Sequence, residues 1–133
     1  MTVDARVAVV IPTWNGRDDL PACLDSLRGQ SGPVEIVVVE NGSTDGSVEM
    51  IRESYPEVTL LVQPVNLGFA GGVNVGLRYA LHRGHDFVAL LNNDAIADPR
   101  WVEHLVDEMT RDERVGMVAS KFVTIDGSRL DST

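Results

Sequence analysis

Val7-Ala8-Val9-Val10-Ile11-Pro12-Thr13-Trp14-Asn15 runs through five apolar residues and then turns abruptly polar. An apolar, β-branched run without alternation is what a strand covered on both faces requires, and such strands belong to parallel sheets. The pattern repeats downstream. Residues 18–29 place Leu20, Cys23, Leu24 and Leu27 at helical spacing, with Asp18 and Asp19 at the start and Gly29 at the end. Val34–Val39 reads as a second strand, and residues 44–55 as a helix with Val48, Ile51 and Tyr55 on one face. Val58–Val62 reads as a third strand, followed by a glycine-rich loop and a helix carrying Val73, Leu77 and Leu81. Phe87–Leu91 is a fourth strand, residues 99–112 a helix with Trp101, Leu105 and Met109 inward, and Val115–Val123 a fifth strand. This alternation predicts an α/β architecture of βαβ units around a mostly parallel sheet, in three α/β/α layers.

In open sheets of this kind ligands bind beyond the carboxyl ends of the strands. Three polar clusters stand there: Pro12-Thr13-Trp14-Asn15 after the first strand, Glu40-Asn41-Gly42-Ser43 after the second, and Asn92-Asn93-Asp94 after the fourth.

Length and composition bound the rest. A chain of 133 residues, 44% hydrophobic and 23% charged, is the size and balance of one folded domain, residues 1–133. No apolar run approaches the roughly 20 residues of a membrane span, and no signal peptide is visible, so the expectation is a soluble intracellular protein. One cysteine, Cys23, leaves no disulfide framework, and His82, His85 and His104 lack the spacing of metal ligands. A net charge of −9 repels phosphate backbones, which disfavours nucleic acid as a partner. A small anionic ligand remains compatible if a divalent cation neutralises it locally.

Neither common phosphate cradle is present. The position after the first strand holds Pro12-Thr13-Trp14-Asn15-Gly16-Arg17-Asp18-Asp19, with one glycine and an acidic helix start, instead of G-x-G-x-x-G. No P-loop occurs, and Gly68, Gly71, Gly72 and Gly76 follow the third strand, not the first. A response-regulator or flavodoxin-like reading fails as well, since Asp18-Asp19 already lies inside the helix start.

Taken in order, VAVVIPTWNG, VVVENGSTDGS, NLGFAGGVNVG and LLNNDA resemble the amino-terminal half of family 2 glycosyltransferases, which have the GT-A fold. NLGFAGGVNVG with LLNNDA is most similar to the bacterial rhamnosyltransferase-like members that build cell-envelope polysaccharides. The resemblance implies a cytoplasmic transferase, working beside the membrane where acceptors are lipid-linked. It would move a sugar from a UDP- or dTDP-sugar donor to a saccharide or lipid-linked acceptor, by a single displacement with inversion.

The resemblance also assigns residues. Pro12, Thr13, Trp14 and Asn15 would meet the nucleotide base, and the Glu40 carboxylate would accept from the base imide or the ribose. Asn41 would also meet the donor; with Gly42 it forms a tight turn, and Ser43 or Thr44 caps the second helix. Asp45 reads as a helix-start charge. Gly71, with its glycine neighbours, either lets backbone approach the donor or softens a helix start packed on the sheet, and Asn74 makes a direct contact. The family's D-x-D metal signature is here Asn92-Asn93-Asp94, so Asp94 alone would hold magnesium or manganese, while Asn92 and Asn93 face ribose or phosphate. Asp94 also fits the cap of a turn. No general base is recognisable, Asp126 and Asp131 included. The family's base lies in an acceptor-binding half after the fifth strand. The expectation is therefore an incomplete GT-A domain, weakly active or inactive alone and prone to self-association through an uncovered sheet edge. The alternative is a non-catalytic nucleotide-binding or interaction module.

Overall fold

The computed structural model describes residues 5–128. Strands β1 (Val7–Thr13), β2 (Glu35–Glu40), β3 (Thr59–Val62) and β4 (Phe87–Leu90) alternate with helices α1 (Leu20–Arg28), α2 (Ser47–Ser54), α3 (Gly68–His82) and α4 (Trp101–Arg111). The strands form one parallel sheet in the order β3-β2-β1-β4. The chain winds outward from β1 to β3, then returns to place β4 on the other side of β1. Strand order thus reverses between β1 and β4.

Residues of β1 divide by parity, as the two-residue period of a strand demands. Val7, Val9 and Ile11 join Leu20, Cys23, Leu24, Leu27, Ile51, Val102 and Val106 in one core, so α1, α2 and α4 cover that face. Ala8 and Val10 join Val37, Val39 and Ala80 in the other, under α3. This gives three layers, and the all-buried β1 accounts for its unbroken apolar sequence. Each fully buried Val, Leu or Ile contributes roughly 1.5–3 kcal/mol relative to exposure, so the sheet centre dominates the stabilisation.

α3 lies close because it is built from small residues. A Cβ at Gly76 would collide with the Val10 side chain, and one at Gly72 would lie 2.7 Å from Asn41 Nδ2 and 3.2 Å from Pro12 Cβ. The glycines from Gly68 to Gly76 therefore belong to the helix itself and not to a preceding loop.

Other expectations are corrected too. Leu81 is 73% exposed, because Gly72, Val73, Gly76 and Ala80 form the stripe of α3 that meets the sheet. In α4 the buried seam is Val102 and Val106, one position on from Trp101 and Leu105, which are half-buried with Met109. Residues 115–123 do not form the expected fifth strand. They make no ladder, only a single bridge at Val123, and Trp101 Nε1 holds the segment to α4 by donating to Ser120 Oγ at 2.7 Å. An apolar run becomes a strand only where a neighbouring edge takes it up, and here β4 keeps its outer edge free.

Candidate functional site

The parallel register brings Thr13 level with Glu40, and Leu91 donates its N–H to the Val10 carbonyl at 3.1 Å. The three polar clusters therefore share the carboxyl edge of the sheet, around the reversal between β1 and β4. This is the place ligands take in open α/β sheets.

Glu40 and Asn41 end β2 with different tasks. Glu40 is fully buried, and its oxygens accept from the Ser43 N–H at 3.0 Å and the Ser47 hydroxyl at 2.9 Å. It fastens the turn and the start of α2, and no oxygen of it reaches the surface to meet a base or ribose. Asn41 is also buried, at 3% exposure. Its N–H donates to the Thr13 carbonyl at 2.9 Å and its Nδ2 to the Gly68 carbonyl at 3.2 Å, yet its Oδ1 has no partner. A buried carbonyl oxygen without a donor costs about 1–3 kcal/mol, and this one is closed off from solvent by its surroundings.

The loops after β1 and β2 are laced together. Asn15 N–H donates to Ser43 Oγ at 2.7 Å, and Thr44 N–H donates to Asn15 Oδ1 at 2.9 Å. Asn15 takes φ +50, a conformation asparagine tolerates better than most residues. Arg17 N–H and Ser47 N–H donate to the Asp45 carboxylate at 3.0 Å each. Partial burial alone would raise the Asp45 pKa, but these donors outweigh it and hold the carboxyl below its ordinary range. Asp45 is thus the helix-start charge expected of it. Ser43 and Thr44 do not cap α2, whose N-cap is Gly46 at φ +84. Trp14, 56% exposed, projects from this paired loop.

After β4, Asn93 Nδ2 donates to Thr13 Oγ1 at 2.8 Å, in space that Gly16 leaves open. The Asn92 carbonyl accepts from Ala95 N–H at 3.1 Å and faces the Cys23 thiol at 3.6 Å. The Asn92 side chain and Asp94 are exposed. Burial first, and the charge of Asp94 second, push the Cys23 thiol up to about 12. Pro12 lies buried against Gly72. Gly71 packs on Leu67, and Asn74 lies on the exposed side of α3, two residues and about 200° round the helix from the Gly72 that faces the sheet. The structure therefore gathers Pro12, Thr13, Trp14, Asn15, Asn41, Asn92, Asn93 and Asp94, and leaves Asn74 outside. Gly16 and Ser47 belong to the site's framework with no motif to announce them. Their role is visible only in what packs against them.

No cluster of three or more His, Cys, Asp or Glu side chains among the described residues could hold a metal unaided. Asp94 offers one exposed carboxylate. A hard oxygen donor fits magnesium or manganese, which keep water and take phosphate oxygens as further ligands. Asp126 is held ionised, with its pKa lowered to about 2 by the backbone N–H of Ser128 and the Thr124 hydroxyl, unlike a base poised to take a proton. Asp131 lies outside the described residues.

A parallel sheet with a polar carboxyl edge at its reversal point defines an α/β protein with a candidate ligand site at that edge. The model of glycosyl transferase family 2 matches residues 8–132, and the chain belongs to that family. Among curated relatives it is 34% identical over 112 residues to an uncharacterized glycosyltransferase, YibD, of Escherichia coli, covering 81% of this chain and 31% of that protein. It is 31% identical over 129 residues to the N-acetylglucosaminyl-diphospho-decaprenol L-rhamnosyltransferase of Mycobacterium tuberculosis, covering 90% of this chain and 42% of that protein. The chain thus spans well under half the length of either. Solved structures of GT-A glycosyltransferases share the fold. The mannosyltransferase PcManGT of Pyrobaculum calidifontis, in complex with GDP-Man and Mn2+, superposes with a TM-score of 0.71 at 28% identity over 82% of this chain and 33% of its own. TarS of S. aureus, residues 1–349 with UDP-GlcNAc, gives 0.69 at 22% identity, over 88% of this chain and 38% of its own. No helix among the described residues is long and apolar enough to cross a membrane.

Proposed function

We propose that residues 1–133 are the donor-binding part of a glycosyltransferase that transfers a sugar from a nucleoside-diphosphate sugar to an acceptor hydroxyl with inversion, in the building of a cell-envelope polysaccharide. The observation that carries the reading is the meeting of the exposed Trp14, Asn15, Asn92 and Asp94 at the carboxyl edge of the sheet, around the reversal between β1 and β4. Trp14 offers the base or ribose an exposed ring beside the paired loops, and Asn92 offers its amide to the ribose or a phosphate. The Asp94 carboxylate binds a divalent cation together with the diphosphate. That cation, when bound, neutralises the departing diphosphate. The complex of PcManGT with GDP-Man and Mn2+ supports donor class and metal, and the relative from Mycobacterium tuberculosis, a rhamnosyltransferase named for a decaprenol-linked sugar, supports the acceptor class. Glu40 serves this site from behind, by holding the turn after β2. No described residue is placed to deprotonate the acceptor, so the isolated chain binds donor and transfers sugar poorly.

Calorimetric titration of UDP, dTDP and GDP, each with Mn2+ and with chelator, tests the reading on wild type, Asp94→Ala and Trp14→Ala. The expected outcome is Mn2+-enhanced binding of one nucleotide, with Asp94→Ala losing the enhancement. Trp14→Ala should weaken binding roughly fivefold or more with metal or without it, the scale of one base stacked on an aromatic ring. Absence of binding by the folded chain would favour the alternative, a non-catalytic interaction module, which the single carboxylate of the Asn92-Asn93-Asp94 triplet also suits.

A further inference from the structure

We propose that Asn93 is a positioning residue that holds the metal-binding turn through its bond to Thr13, and that neither Asn93 nor the Thr13 hydroxyl contacts the donor. The inference rests on the reading of Asp94 as the residue that meets the cation.

The turn after β4 is fastened at three consecutive residues. Leu91 N–H bonds the Val10 carbonyl, extending the β1–β4 ladder by one step. The Asn92 carbonyl takes the Ala95 N–H and faces the Cys23 thiol of α1. Asn93 crosses the reversal point to donate to Thr13 Oγ1 at 2.8 Å. Only then comes Asp94, exposed, with no described residue donating to its carboxylate.

Geometry favours a fixed strut over a ligand contact. Thr13 is buried, so its hydroxyl meets Asn93 and not solvent. Gly16, itself buried, has no Cβ where one would overlap both Thr13 Oγ1 and Asn93 Nδ2, at 2.5 Å from the latter. A side chain at position 16 would therefore displace the bond, and the loop after β1 is shaped around it. The strut bridges the crevice between β1 and β4, where strand order reverses. It fixes where Asp94 stands relative to β1 and the base-binding loop. Partners that orient a metal ligand from behind typically contribute 10–100-fold to metal affinity.

The test separates the metal-dependent part of binding from the rest. Free Mn2+ is followed by electron paramagnetic resonance during titration of the protein with UDP present, and UDP affinity is measured separately in chelator. Variants are Asn93→Ala, Thr13→Val and the conservative Thr13→Ser, each checked for fold by circular dichroism. Asn93→Ala and Thr13→Val should weaken Mn2+ binding by about 10-fold or more, leave UDP affinity in chelator unchanged, and find Thr13→Ser near wild type. Should Thr13→Val not fold, the half-buried Asn93 carries the test alone. An equal loss with and without metal would mean that these side chains touch the nucleotide, and unchanged Mn2+ binding would mean that the strut positions nothing. Either overturns the proposal while leaving the Asp94 reading intact. Wild type that shows no UDP-dependent Mn2+ binding overturns both.

Discussion

At Cys23 a buried thiol facing the Asn92 carbonyl is raised to about 12, by burial first and by the charge of Asp94 second. An acid whose folded pKa is raised stabilises the fold below its unfolded pKa, near 9, and that contribution is lost as pH climbs towards the folded value. Wild type should therefore lose stability more steeply than Cys23→Ala between pH 9 and 11 in urea unfolding, and parallel slopes would refute the burial of the thiol. The sequence announced Cys23 as an apolar residue of α1, which it is. Glu40 was harder to read. An acidic residue at a strand end looks the same in sequence whether it faces a ligand or its own loop, and the difference lies in Ser43 N–H and the Ser47 hydroxyl, whose approach depends on the turn at Gly42 and the left-handed Gly46. Asn41, a donor-site candidate in the sequence, lies sealed beneath the carboxyl edge of the sheet, because burial is a property of packing.

Among the elements, α3 shows how a helix can be selected for closeness. Its mid-helix Gly72 and Gly76 cost the helix about 1 kcal/mol each relative to Ala, and the return is contact with Pro12, Asn41 and Val10. Gly76→Ala would regain propensity but drive its Cβ into the buried Val10 side chain. Overpacking of that kind destabilises by about 1–3 kcal/mol, so the melting temperature should fall by several degrees, and an increase would show that α3 has room to move outward. Gly68→Ala is the contrasting case. Nothing lies within 4 Å of its added methyl, and the penalty comes from φ +77 alone. The strands β1 to β4 and all four helices were legible because hydrophobic period and length agree in each. The start of α3 and the expected fifth strand were not. A run such as Gly68-Phe69-Ala70-Gly71-Gly72 carries loop composition, and of it only Gly72 seats against the strand ends, at Pro12 and Asn41. Val115–Val123 has strand composition, but β-structure needs a partner edge, which local sequence cannot supply.

Across the whole molecule, covered and uncovered apolar surface are unevenly distributed. The sheet interior is closed on both faces, whereas β4 ends the sheet, its outer edge unpaired among the described residues and Leu90 46% exposed. Ile96, Met117, Phe122, Val123 and Ile125 are exposed as well. An open parallel edge offers hydrogen-bonding groups, and the exposed side chains offer apolar area, to a second chain. The net charge of −9 opposes that approach, and salt screens the repulsion with a Debye length of about 8 Å at 0.15 M. Self-association should therefore strengthen as salt is raised from 0.02 to about 0.5 M, opposite to the response of an assembly held by ion pairs. Sedimentation velocity at micromolar to hundred-micromolar protein, on wild type and Leu90→Lys, reads this directly. A charge placed on the edge should keep the chain monomeric at every salt concentration, while association that persists in Leu90→Lys would move the contact away from β4 to the apolar surface around residues 117–125.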